Sequence, residues 1–172
     1  MRYFKVKNEY NSKVAHTVFE WIDSLVCAAV LCILIFSFTV KTMRVQGTSM
    51  YPTYQHGQRV IAVTPIMGLN RGDVVVTDAH NGTGDPLIKR VIAMSGDIVF
   101  IDADGVVMVN GKEIQDYVDT LKYNTYGDQD YPLIVPDGMV FLMGDNREVS
   151  YDSRYQTVGC ISEKSIIGKV IS

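Results

Sequence analysis

Between Ser24 and Val40 the chain carries no charged side chain, and the stretch from Leu25 to Phe36 is almost continuously apolar. Such a stretch cannot be an ordinary surface helix, because it has no polar side to turn toward water. With its flanks it reaches the roughly 17 to 25 residues that a membrane-spanning helix needs. A buried core helix is the alternative for an apolar run, but the missing polar face favours spanning. Val14, Val18, Trp21 and Leu25 recur at helical spacing, so residues 11–22 extend the helix inward and bring Trp21 near an interface, where tryptophan is common. Arg2, Lys5, Lys7 and Lys13 precede the run, whereas Lys41 and Arg44 follow it closely. The larger basic cluster keeps the N-terminus in the cytoplasm and sends the rest of the chain outside. A cleavable secretion signal competes with this reading, since Ser37 and Thr39 end the run with smallish residues. Its charged lead is long, however, and no Ala-x-Ala site follows. The expected organisation is a cytoplasmic segment over residues 1–23, a transmembrane anchor over 24–40 and an extracytoplasmic domain over 41–172.

Of 172 residues, those beyond the anchor suffice for one domain of common size with its own core. A formal charge of -3 and a pI near 5.5 give no support to a nucleic-acid partner, whose binding leaves a basic patch. Cys27 and Cys32 lie in the apolar run and Cys160 stands alone. Neither a disulfide framework nor metal-ligand spacing results. His16, His56 and His80 are scattered, so no metal and no cofactor are expected.

Beyond the anchor the chain reads as strands and turns. Residues 59–63 and 73–77 are rich in β-branched side chains and are separated by Pro65, Gly68 and Asn70, which suit turns. Residues 87–94, 98–101, 139–143 and 165–171 read likewise. Asp104-Gly105 and Asn110-Gly111 are turn signals on either side of Val106 to Val109. Many short strands with little helical periodicity indicate an all-β domain. Asp119 to Asp137, with Tyr123, Tyr126 and Tyr131, reads as an irregular connection whose tyrosines cover core.

Two stretches invite a chemical reading. Ser49 sits in Gly47-Thr48-Ser49-Met50-Tyr51-Pro52-Thr53, just after the apolar run. A serine hydroxyl is a poor nucleophile unless a base removes its proton. Lys89, in Leu87-Ile88-Lys89-Arg90-Val91-Ile92, is the candidate base. An amine with a pKa near 10.4 in water can serve only if its surroundings penalise the charge, as burial among apolar side chains does. Read alone, the strand leaves Lys89 free to face solvent, and the serine stretch has an ordinary turn composition.

The ordered set of motifs decides between these readings. Gly47 to Thr53, Arg71-Gly72-Asp73-Val74-Val75, Ile88 to Ile92 with Ser95-Gly96-Asp97, and Gly144-Asp145-Asn146-Arg147 with Ser150 and Asp152-Ser153-Arg154 resemble, in order, the boxes of the bacterial type I signal peptidases. With the anchor they cover nearly the whole chain. The short interval between the third and fourth boxes resembles the compact Gram-positive form.

This resemblance implies a mainly β fold, a coiled antiparallel β-sheet catalytic domain preceded by one transmembrane helix. It implies a Ser/Lys dyad of Ser49 and Lys89, with the Ser49 backbone N–H as oxyanion donor. Gly47 stands where some relatives place a second, serine donor. Ser150 corresponds to the residue that orients the lysine, while Asp145, Asn146, Arg147, Asp152 and Arg154 support the site. Val45, Met50, Tyr54, Leu87 and Ile88 match positions lining the substrate pockets. The implied partners are the lipid bilayer and secretory preproteins with small residues at the first and third positions before the cut, processed on the outer face of the bacterial cytoplasmic membrane. An extended substrate is expected to add as a strand beside residues 87–89 and 43–47. Two other readings remain: a self-cleaving Ser/Lys peptidase of the repressor type, against which the anchor counts, and a tethered binding domain using Arg71-Gly72-Asp73.

Overall fold

The computed structural model describes residues 2–64, 68–114 and 127–171. It consists of two compact units, a helix up to Thr39 and a β-domain from Val40 onward. Helix α1 spans Arg2–Thr39. Within it, Thr17–Leu34 is long and apolar enough to cross a membrane, by length and composition. Phe19, Trp21, Leu25, Leu31 and Ile33 are all exposed, so the helix carries a large apolar surface that nothing in its own unit covers. Val40 already belongs to the first strand rather than to the helix.

The β-domain is built on a seven-stranded antiparallel sheet that curls into a half-barrel. Its strands are β1 (Val40–Arg44), β2 (Arg59–Val63), β3 (Val74–Thr77), β4 (Ile88–Met94), β9 (Met139–Met143), β10 (Ile161–Ser162) and β11 (Ile166–Val170). Their order across the sheet is β1-β2-β11-β3-β4-β9-β10. The last strand in the chain therefore lies between β2 and β3. A smaller sheet, in the order β7-β6-β5-β8, comprises β5 (Ile98–Ile101), β6 (Val107–Val109), β7 (Lys112–Glu113) and β8 (Leu133–Ile134).

The strands β3, β4 and β9 of the large sheet are buried on both faces, which explains their nearly unbroken apolar runs, whereas β1 and β2 leave one face exposed. Every residue of β3 is buried. Val74 and Val76 join Val45, Met50, Val60, Ala62 and Val170 in one cluster, while Val75 joins Val91, Val140, Leu142, Val158 and Ile161 in another. A third cluster packs Ile92, Ala93, Phe141 and Met143 from the large sheet against Val99, Val107 and Val109 from the small one. Asn110-Gly111 forms the two-residue turn its composition predicts, with φ of 54° and 73°, and pairs Val109 with Lys112.

Strands β7, β8 and β10 have two residues each, too short for any periodicity to declare them in the sequence. The closing strand begins at Ile166 rather than Ser165, because Glu163–Ser165 forms a 3-10 turn capped by the Ser162 side chain. Tyr131 packs against the third core cluster, as expected of a core-covering tyrosine. Tyr123, Tyr126 and Pro65 lie outside the described residues.

Candidate active site

Ser49 lies in the connection between β1 and β2, and Lys89 is the second residue of β4. Lys89 Nζ is 2.8 Å from Ser49 Oγ, although the two residues are forty positions apart. In the sheet Lys89 is paired with Val75 and shares a side-chain row with Val91, both of them completely buried. Lys89 itself is 3% exposed. Burial pushes its ammonium down from the ordinary 10.5 to about 8; the charges of Asp152 and Asp145 oppose that shift and Arg154 assists it. About a tenth of Lys89 is therefore neutral amine at pH 7, against well under a thousandth for an ordinary lysine, and it lies within reach of the serine hydroxyl.

The serine connection is pinned from the other end of the chain. The Asn146 N–H donates to the Ser49 carbonyl at 2.9 Å, and its side-chain amide donates to the Thr48 carbonyl at 3.3 Å. Gly144 permits this approach, since a Cβ there would overlap Ser150 Oγ and the Ser49 carbonyl oxygen. Gly47 has a φ of +81°, suited to glycine, and its N–H donates to His56 Nδ1 at 3.0 Å. Its amide is thus already engaged. The Ser49 N–H donates to no partner among the described residues, so it is the better placed of the two for an oxyanion.

Behind the lysine sits a fully buried polar cluster. Arg154 is 0% exposed and grips both carboxylate oxygens of Asp152, at 2.8 and 2.9 Å, while also donating to the Ser150 carbonyl. Asp152 also accepts from the Gly144 N–H and, at 2.6 Å, from the Ser150 hydroxyl. Ser150 therefore spends its proton on Asp152; only its lone pairs remain for a lysine. Asp145 accepts two bonds from Arg90, at 2.7 and 2.6 Å, and one from the Thr53 hydroxyl at 2.5 Å. Arg147 is buried and donates to the Gly144 carbonyl.

A groove of about 550 Å³ runs up to Ser49 and Lys89. One wall is Met43 to Gln46, the other Asp85 to Ile88, with Val60, Val76 and Ile167 also lining it. Val45, Leu87 and Ile88 stand in the groove, but Met50 and Tyr54 do not. Met50 is completely buried beneath it, and Tyr54 packs on the same core cluster, where burial raises the pKa of its phenol. The wall from residue 85 is fixed by Asn81, which is buried and donates to the Thr77 hydroxyl and to the Asp78 and Asp85 carbonyls.

Sequence reasoning passed over Arg90, Thr53 and Ile167. Arg90 had a readable signal, since a cation inside an apolar strand requires a carboxylate partner. Ile167 had none, because its place follows from a pairing with strands roughly a hundred residues earlier. Arg71-Gly72-Asp73 is not an open adhesion tripeptide: Arg71 is paired with Asp97, Asp73 accepts from Lys169 at 2.7 Å, and the Gly72 carbonyl accepts from Arg90.

The chain is similar to known proteins over most of its length. Residues 18–172 match the family described as signal peptidase, peptidase S26. The chain is 36% identical to signal peptidase I S of Bacillus subtilis, over 95% of this chain and 91% of that protein. It is 35% identical to signal peptidase IB of Staphylococcus aureus, over 89% of this chain and 87% of the other. A crystal structure of a signal peptidase I from Enterococcus faecalis, 27% identical, superposes with a TM-score of 0.48 over 61% of this chain and 97% of that one. With the family matched over most of its length, the chain belongs to the S26 peptidases, the signal peptidases.

Proposed function

We propose that this protein is a membrane-anchored serine endopeptidase that removes signal peptides from exported preproteins. The observation that carries the reading is the 2.8 Å approach of a buried lysine amine to a serine hydroxyl at the end of a groove. Neutral Lys89 takes the proton from Ser49 Oγ as that oxygen attacks the scissile carbonyl. The Ser49 N–H stabilises the oxyanion; as the scissile C–N bond breaks, the Lys89 ammonium gives its proton to the departing amine, and the again neutral Lys89 takes a proton from the water that hydrolyses the acyl-enzyme. An extended substrate lies between the walls at residues 43–46 and 85–88, hydrogen-bonded as an added strand. Small residues at the first and third positions before the cut suit the shallow, apolar lining of Val45, Leu87 and Ile88. The Arg154, Asp152 and Ser150 cluster supports the lysine, and Asn146 holds the nucleophile's loop. Helix α1 anchors the protein in the cytoplasmic membrane, with the β-domain on the outer face.

The test is cleavage of a detergent-presented preprotein carrying an Ala-x-Ala site by the wild type, Ser49→Ala and Lys89→Ala across pH. The wild type alone should cut, with a rate that rises as pH passes through about 8, where Lys89 loses its proton. Near-wild-type activity in Lys89→Ala would remove the general base from the mechanism.

A further inference from the structure

The groove is apolar where it meets the core, but each wall carries a charge that the protein leaves unmatched. On one wall, buried Val45 and inward-packed Met43 alternate with exposed Arg44 and Gln46. On the other, Asp85 is exposed, ahead of Leu87 and Ile88. The Arg44 guanidinium has no hydrogen-bond or ion-pair partner among the described residues; in the ladder the residue stands opposite a second arginine, Arg59. The Asp85 carboxylate has none either; its backbone amide and carbonyl make the only bonds of that residue. Opposite charges thus line one groove without pairing with each other.

An added strand presents its side chains alternately to the two faces. If its first and third residues before the cut point into the apolar lining, the second, fourth and sixth point outward. On that outer face they become lateral neighbours of exposed side chains on the walls. Neighbours of this kind, about 5 Å apart, attract when their charges are opposite and repel when alike. We infer that Arg44 and Asp85 read the charge of the substrate's outward-facing residues. Asp85 favours a lysine over a glutamate at the outward position it flanks, and Arg44 favours the reverse at its own. Selection by size at the inward row is thereby joined by selection by charge at the outward row. This inference rests on the peptidase reading above.

The experiment uses the full-length protein in detergent micelles and peptides with alanine at the first and third positions before the cut. The second, fourth or sixth position carries alanine, lysine or glutamate, and the readout is the lysine-to-glutamate ratio of kcat/KM for each protein. Asp85→Lys should invert the ratio at one of these positions, by about two- to fivefold, with Asp85→Asn falling between. Arg44→Glu should move it in the opposite sense, and both effects should shrink at about 0.5 M salt. Ratios that stay the same in all variants at all three positions overturn the inference while leaving the peptidase intact. Failure of the wild type to cut even the all-alanine peptide removes the peptidase reading itself.

Discussion

Lys89 and Arg90 are consecutive residues of β4, both cationic and both buried, and the fold treats them in opposite ways. Arg90 meets a carboxylate face to face, two bonds to Asp145, plus the Gly72 carbonyl. Lys89 meets a neutral hydroxyl. Carboxylates do lie nearby, but Asp152 is fully occupied by Arg154, the Gly144 amide and Ser150, and Asp145 by Arg90 and Thr53. One cation is tied into the structure by its carboxylate, while burial pushes its neighbour toward the neutral amine, a shift that Asp152 and Asp145 oppose only in part.

The largest test of that contrast is to make the two residues alike. Lys89→Arg keeps the positive charge and most of the length, but a guanidinium cannot give up its proton near neutral pH. Preprotein cleavage should fall by about 10^4-fold or more, as removal of a dyad member does. Activity within tenfold of wild type would mean that charge, and not basicity, is what the site requires.

Breaking the neighbouring pair should instead be read in stability. Arg90→Met leaves the Asp145 carboxylate buried without a cation and should cost about 3–5 kcal/mol in denaturant unfolding. Adding Asp145→Leu should recover a large part of that loss, because the stranded charge goes as well. Equal losses in the single and double variants would show that the pair's charge is not what matters.

A third measurement compares stability across pH for wild type and Lys89→Met. The folded amine releases its proton near 8 and the unfolded one near 10.5, so between those values the unfolded chain binds more protons. Wild-type stability should therefore gain on the variant as pH rises through that window, by about 3 kcal/mol in all. A flat difference curve would place Lys89 at an ordinary lysine pKa. The smallest effect is expected from Thr53→Val, which removes one hydroxyl donor from Asp145 but leaves Arg90 in place. It should cost about 1–2 kcal/mol.

Much of this site was legible because its parts are local. The serine stretch, the lysine strand and the Gly144 to Arg154 stretch are each recognisable within about ten residues, and their order carried the resemblance to the signal peptidases. What was not legible depends on how the chain turns back on itself. Met50 follows Ser49 directly, yet Tyr54 donates its amide to the Met50 carbonyl in a tight turn that drives the Met50 side chain into the core, away from the groove. Ile167 enters the groove because β11 inserts between β2 and β3, and no short-range pattern encodes such a pairing. The lysine's burial was undecidable from its strand, since alternation says which residues share a row but not which row is covered.

That insertion of β11 has a temporal side. Ser49 lies in the connection of the β1–β2 hairpin and Lys89 in the β3–β4 hairpin, and in the sheet Ile166–Val170 lies between them, pairing with both β2 and β3. A ribosome that has made the first hundred residues has already made Ser49 and Lys89, but not the strand that lies between their hairpins. The strand that lies between the two hairpins is thus made well after both of them, so the sheet's order in space is not its order of synthesis.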